Sequence, residues 1–165
     1  MIEKLLNDYS DFKNECLKVR KPIPGFHEKF IKNLNGITFE ELFNIYKKKY
    51  PIRLHISTNF IQCDGFYSIS DKVIYIDNEN SDNIKITAMF HEIVHYLNHD
   101  CIEKGIFDEA EAEVISYLVS KNFGIINEHS KYYVIHYWES IDFFDIYKNK
   151  IIDTAIEILE VNDGF

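Results

Sequence analysis

Ala88-Met89-Phe90-His91-Glu92-Ile93-Val94-His95-Tyr96-Leu97 places an H-E-x-x-H element inside an apolar stretch that reads as a helix. Four residues advance an α-helix by a little over one turn, so the imidazoles of His91 and His95 project from one face. That spacing suits two ligands of a tetrahedral zinc ion, and Glu92, beside the first histidine, suits a base for the metal-bound water. In a chain of 165 residues with 7 His the pattern arises by chance only about 0.03 times. The flanking Ala88, Met89, Phe90, Ile93, Val94 and Leu97 are those of a buried active-site helix, not a solvated one.

Upstream, the apolar period changes from helix to strand. Ile52, Leu54 and Ile56 alternate with polar partners, as does Val73-Ile74-Tyr75-Ile76 after the Ser70-Asp71 turn, and Gly65-Phe66-Tyr67 lies between them. These predict a small sheet of about three strands. The Val73–Ile76 strand is the one expected to align an extended peptide by edge pairing. Two helices precede the sheet. Ile2, Leu5, Leu6, Tyr9, Phe12 and Leu17 define the first, over 2–19, ended by Lys21-Pro22-Ile23-Pro24-Gly25. Thr38-Phe39-Glu40-Glu41 is a capping-box pattern opening the second, which runs to about Tyr50.

From Ser81 onward the chain reads as helical. Ser81, Asp82 and Asn83 are N-cap candidates for the motif helix, predicted to reach His99. Further helices are predicted over about 108–123, with Gly124 as C-cap, then 131–140 and 143–160. With no repeat or linker, residues 1–165 are read as one α+β domain: N-terminal helices, a small sheet, and a helical half carrying the motif.

Composition narrows the function. Hydrophobic residues make up 46% and aromatics 15%, enough for a large core without disulfides. The net charge of −9 argues against general affinity for nucleic-acid phosphates, which needs a basic surface. Cys16, Cys63 and Cys101 are odd in number and widely spaced, which fits free thiols in a reducing compartment. The N-terminus lacks the apolar core of a signal peptide, and no run approaches the ~18–20 apolar residues of a membrane span. A soluble, cytoplasmic protein without membrane partners is expected.

Two histidines leave a catalytic zinc one protein ligand short. His99 lies too far along the same helix to share a tetrahedral ion, and position 101, where a third histidine would fall in the metzincin pattern, is Cys101. Phe107-Asp108-Glu109-Ala110-Glu111-Ala112-Glu113 supplies the alternative. Glu109 and Glu113 share a helix face, so one can bind the metal while the other fixes the tautomer of a ligand histidine. Glu111 points about 160–200° away and is expected to be a solvated first-turn acid, silent on replacement by alanine. Tyr132, Tyr133, His136 and Tyr137 are candidate donors to a developing oxyanion.

This set of motifs resembles gluzincin-type ligation. Gly65-Phe66-Tyr67, Val73–Ile76, Phe90–His99 and Glu111–Val119, over about residues 60–140, are similar to the zincin-like metallopeptidase domains of ArdC-type antirestriction proteins and, more distantly, to ImmA/IrrE-type peptidases. Tyr133 and Trp138 continue the likeness to the ArdC type. The resemblance implies a zincin-like fold, Zn²⁺ held by His91, His95 and Glu109, Glu113 behind a ligand histidine, and Glu92 as general base. It implies hydrolysis of a protein or peptide substrate, in a phage- or mobile-element setting. The first 50 residues differ from the single-stranded-DNA-binding domain common in ArdC-type proteins, and L-L-M-P is absent after Val119. The alternative is a silent zincin-fold module that recognises a host protein without cutting it. An intact Glu92 argues for the enzyme.

Overall fold

The computed structural model describes residues 1–19, 30–56, 63–98, 106–137 and 142–161. The sequence-based expectations for Lys21–Gly25, His99, Cys101 and Trp138, and for the Tyr137 side chain, lie outside the described residues. The elements run α1 (Ile2–Leu17), β1 (Ile31–Asn33), α2 (Phe39–Tyr46), β2 (Ile52–His55), β3 (Gly65–Ser68), β4 (Val73–Asp77), α3 (Asp82–Asn98), α4 (Ile106–Asn122), β5 (Ile125–Asn127), α5 (Ser130–Tyr137) and α6 (Asp142–Leu159). The architecture is α+β.

Local chemistry accounts for most boundaries. Thr38 and Glu41 form the full capping box of α2: the Glu41 N–H donates to Thr38 Oγ1 at 3.3 Å, and the Thr38 N–H donates to Glu41 Oε2 at 2.8 Å. Gly124 follows α4 with φ +84, where a Cβ would stand 2.5 Å from the Asn35 amide nitrogen, so only glycine closes this helix end. In α1 the buried residues Leu5, Tyr9, Phe12 and Cys16 recur at helical spacing.

The three-stranded sheet has the order β2-β4-β3, with β2 parallel and β3 antiparallel to β4. This corrects the edge-strand expectation. Val73–Ile76 belongs to the central strand, whose backbone is paired on both sides, so β4 cannot receive a peptide. The β3–β4 hairpin leaves β3 at the edge instead. A second, two-stranded sheet pairs β1 with β5 antiparallel, Ile31 opposite Asn127. Three-residue strands are too short to show a period of 2, so the sequence gives no signal for them.

Helix α4 is the centre of the helical half. It packs on α1, α3, α5, α6 and β5, and its Ala110, Ala112, Val114, Ile115, Leu118 and Val119 are all buried. No described helix is long and apolar enough to cross a membrane.

Tyrosines tie the outer helices to this core. The Tyr9 hydroxyl donates to the Phe144 carbonyl, and Tyr46 to that of Ile158 at 3.1 Å. Burial, reinforced by nearby carboxylates, raises the phenols of Tyr9, Tyr50 and Tyr117 well above their ordinary value. The folded state therefore favours the neutral phenols, an advantage complete below about pH 10 and lost as the pH rises further. On alkaline titration the phenols of Tyr9, Tyr50 and Tyr117 should ionise only as the helical circular dichroism disappears. Ionisation of every tyrosine before any loss of helicity would contradict this packing.

Candidate metal centre

Helix α3 buries Ile86, Met89, Phe90, Ile93 and Val94 on its core side. The 3.6-residue period then turns Thr87, His91 and His95 toward a cleft of about 530 Å³. The two Nε2 atoms stand 3.1 Å apart. Glu109, in the first turn of α4, reaches both: Oε2 lies 3.3 Å from His91 Nε2, and Oε1 3.5 Å from His95 Nε2. Ligands at ~2.05 Å from a tetrahedral ion are separated from one another by about 3.3 Å. The triangle fits that requirement, and its nitrogen and oxygen donors suit a borderline divalent ion. His91, His95 and Glu109 could hold a metal, with ligand atoms all within 4.8 Å of one another.

Glu113, one turn along α4, sits behind His91, its Oε2 3.3 Å from Nδ1. A proton on Nδ1 is thereby held toward Glu113, leaving the Nε2 lone pair for the centre. Burial of the His91 ring opposes its charge, but the carboxylates of Glu109 and Glu113 at its two nitrogens more than offset this and raise it to about 10. Burial lowers His95, with the neighbouring His91 charge acting the same way and Glu109 opposing. Hydrogen bonds from both rings hold Glu109 well below the usual carboxylate range.

Glu92 lines the same cleft. It is only 7% exposed, and its Oε2 has no hydrogen-bond partner. An unpartnered buried carboxylate oxygen is destabilising unless something else meets it. Glu92 also lies against β3: a Cβ built on Gly65 would stand 3.3 Å from Glu92 Cγ and 3.0 Å from the Tyr75 carbonyl oxygen.

Three other elements complete the walls. Cys63 to Phe66 form one side; Asn127, His129 and Tyr133 form another. Of the expected oxyanion donors whose side chains are described, only Tyr133 lines the cleft. Tyr132 and His136 do not, because α5 turns them elsewhere, His136 into solvent. His129 was missed. It is 7% exposed, sits in the turn before α5, and donates its backbone N–H to Asn127 Oδ1 at 3.1 Å. An isolated histidine between Glu128 and Ser130 carries no periodic signal.

Glu111 requires a correction. It does point away from Glu109, but α4 is enclosed on that side too, so Glu111 is 2% exposed rather than solvated. It accepts from Asn98 Nδ2 at 2.7 Å and pairs with Lys150 Nζ at 2.9 Å. Removing it would strand those partners. Cys16 and Cys63 are free thiols.

No family model matches the chain, and no curated protein or solved structure is significantly similar to it.

The protonation pattern predicts a linkage. At neutral pH, Glu109 is ionised and the lowered His95 favours its neutral form, whereas His91 holds a proton that an ion must displace. Zinc titration by calorimetry in buffers of differing ionisation enthalpy should show about one proton released per ion. Affinity should then rise about tenfold per pH unit toward the value of His91. Binding without proton release would mean that His91 is not displaced by the ion.

Proposed function

We propose that the protein is a zinc-dependent peptidase with a zincin-like, gluzincin-type centre. The observation that carries this reading is the pairing of a two-nitrogen, one-carboxylate triangle with the buried, unpartnered Glu92 carboxylate in the same cleft. His91, His95 and Glu109 would hold the ion. Bound zinc would acidify a water toward neutral pKa and polarise the scissile carbonyl. Glu92 Oε2 accepts the proton of the attacking water and returns it to the leaving amine. Glu113 keeps the His91 ring oriented throughout. Tyr133 and His129, which line the same cleft, would donate to the developing oxyanion, a class of interaction worth ~3–4 kcal/mol where such donors have been removed.

The substrate is a peptide in extended form. Among the described strands β3 is an edge of its sheet, and Gly65 and Phe66 on it line the cleft. Backbone pairing along β3 would carry the scissile bond past Glu92. The likeness to antirestriction proteins rests on the motif residues alone, so that biological role is not carried over.

Two variants test this reading. Glu92→Gln should retain zinc and fold but lose cleavage of an unstructured protein such as casein, because an amide cannot take the proton. Cleavage at the wild-type rate would exclude the base role. Gly65→Ala should retain wild-type zinc affinity while lowering kcat/KM about 10–100-fold, since its Cβ displaces Glu92 and the strand that guides the substrate. Unchanged kcat/KM would show that the contact between β3 and Glu92 is not functional.

A further inference from the structure

Glu109 stands in the first turn of α4, where backbone N–H groups lack intrahelical partners and helices fray. Something must hold that turn in place before an ion arrives. Glu111, two residues on, faces the opposite way and is buried at 2% exposure. Lys150 of α6 reaches it from a half-exposed position, 2.9 Å from Oε1 and 3.0 Å from Oε2. Asn98, the last residue of α3 and one turn past His95, donates to Glu111 Oε1 at 2.7 Å and to Thr154 Oγ1 of α6 at 3.3 Å. One polar network thus joins the helix carrying both histidines, the helix carrying Glu109 and Glu113, and α6.

We infer that Glu111, Lys150 and Asn98 form a clamp on the far side of α4 that sets where Glu109 meets His91 and His95, making them positioning residues for the metal centre. The inference rests on the metal-centre reading above. Its physical basis is preorganisation: a first turn free to fray must be ordered by the ion, and that ordering subtracts from affinity. A carboxylate buried this deeply also needs its countercharge, because Glu92, Glu109 and Glu113 already place three acids on the adjoining faces of α3 and α4. Lys150 supplies it.

A positioning role differs from plain stabilisation in one readout, the zinc affinity of a variant that remains folded. Replacing both members of the pair by apolar groups of similar size leaves no buried charge without its countercharge, so Glu111→Leu/Lys150→Met together tests geometry rather than folding. Zinc affinity would be measured by competition with a chromophoric chelator, at a temperature where circular dichroism shows each variant folded. Lys150→Arg should bind like wild type. Glu111→Gln and the double variant should each bind about tenfold more weakly, the low end for residues that support metal ligands. Wild-type affinity in the folded double variant would overturn the clamp while leaving the centre intact. Absence of zinc binding by the wild-type protein would overturn the centre and the clamp together.

Discussion

The close packing of α4 against α3 is the contact on which the rest of the site depends. It allows a carboxylate from one helix to stand within 3.5 Å of two imidazole nitrogens on another. Small residues make the approach possible, with Ala110 and Ala112 fully buried. Polar contacts then fix the register between the helices. Ser116 Oγ donates to the Thr87 carbonyl at 2.9 Å, two turns before His95, and Glu113 meets His91 Nδ1. Burying this much polar surface is tolerable only because its members have partners. Glu92 Oε2 is one of the exceptions among the described residues, and it is the atom to which the proposed chemistry assigns a proton.

Electrostatics and packing reinforce one another here. His91 lies between two carboxylates and carries a proton well into the alkaline range. The same arrangement that stabilises an imidazolium would stabilise a divalent cation, because Glu109 faces the Nε2 side directly while Glu113 holds Nδ1 from behind. The sheet adds another wall of the cleft. Its edge strand is pressed so closely onto Glu92 that position 65 has no room for a side chain without displacement. Glu92 and the edge strand proposed to carry a peptide are therefore built as one unit.

Where patterns are local, the sequence was legible. The H-E-x-x-H spacing, the capping box at Thr38 and Glu41, the glycine after α4 and the helical periodicities all report interactions within a few residues, and each element lies within a few residues of its expected place. The shared face of Glu109 and Glu113 follows from helix geometry in the same way. Besides the short strands β1 and β5, three features were not legible. Strand β4 reads as a strand in isolation, but its central place depends on which neighbours pair with it. Glu111 was expected in water because its angle from Glu109 is right, yet an angle does not say what lies there. His129 stands alone in a turn, and only the fold brings it to the cleft.

The sequence by itself determined which residues share a helix face, because 100° per residue is fixed by backbone hydrogen bonding and needs no tertiary partner. It therefore determined that His91 and His95 share one face and that Glu109 and Glu113 share another. Only the tertiary structure decided that these two pairs meet, that Glu109 faces both imidazoles while Glu113 stands behind one of them, and that the far side of α4 is covered by α6. Those outcomes turn on the distance and rotation between two helices. They are set by the summed packing of Ala110, Ala112, Ser116 and the Glu111 network, which no local pattern encodes.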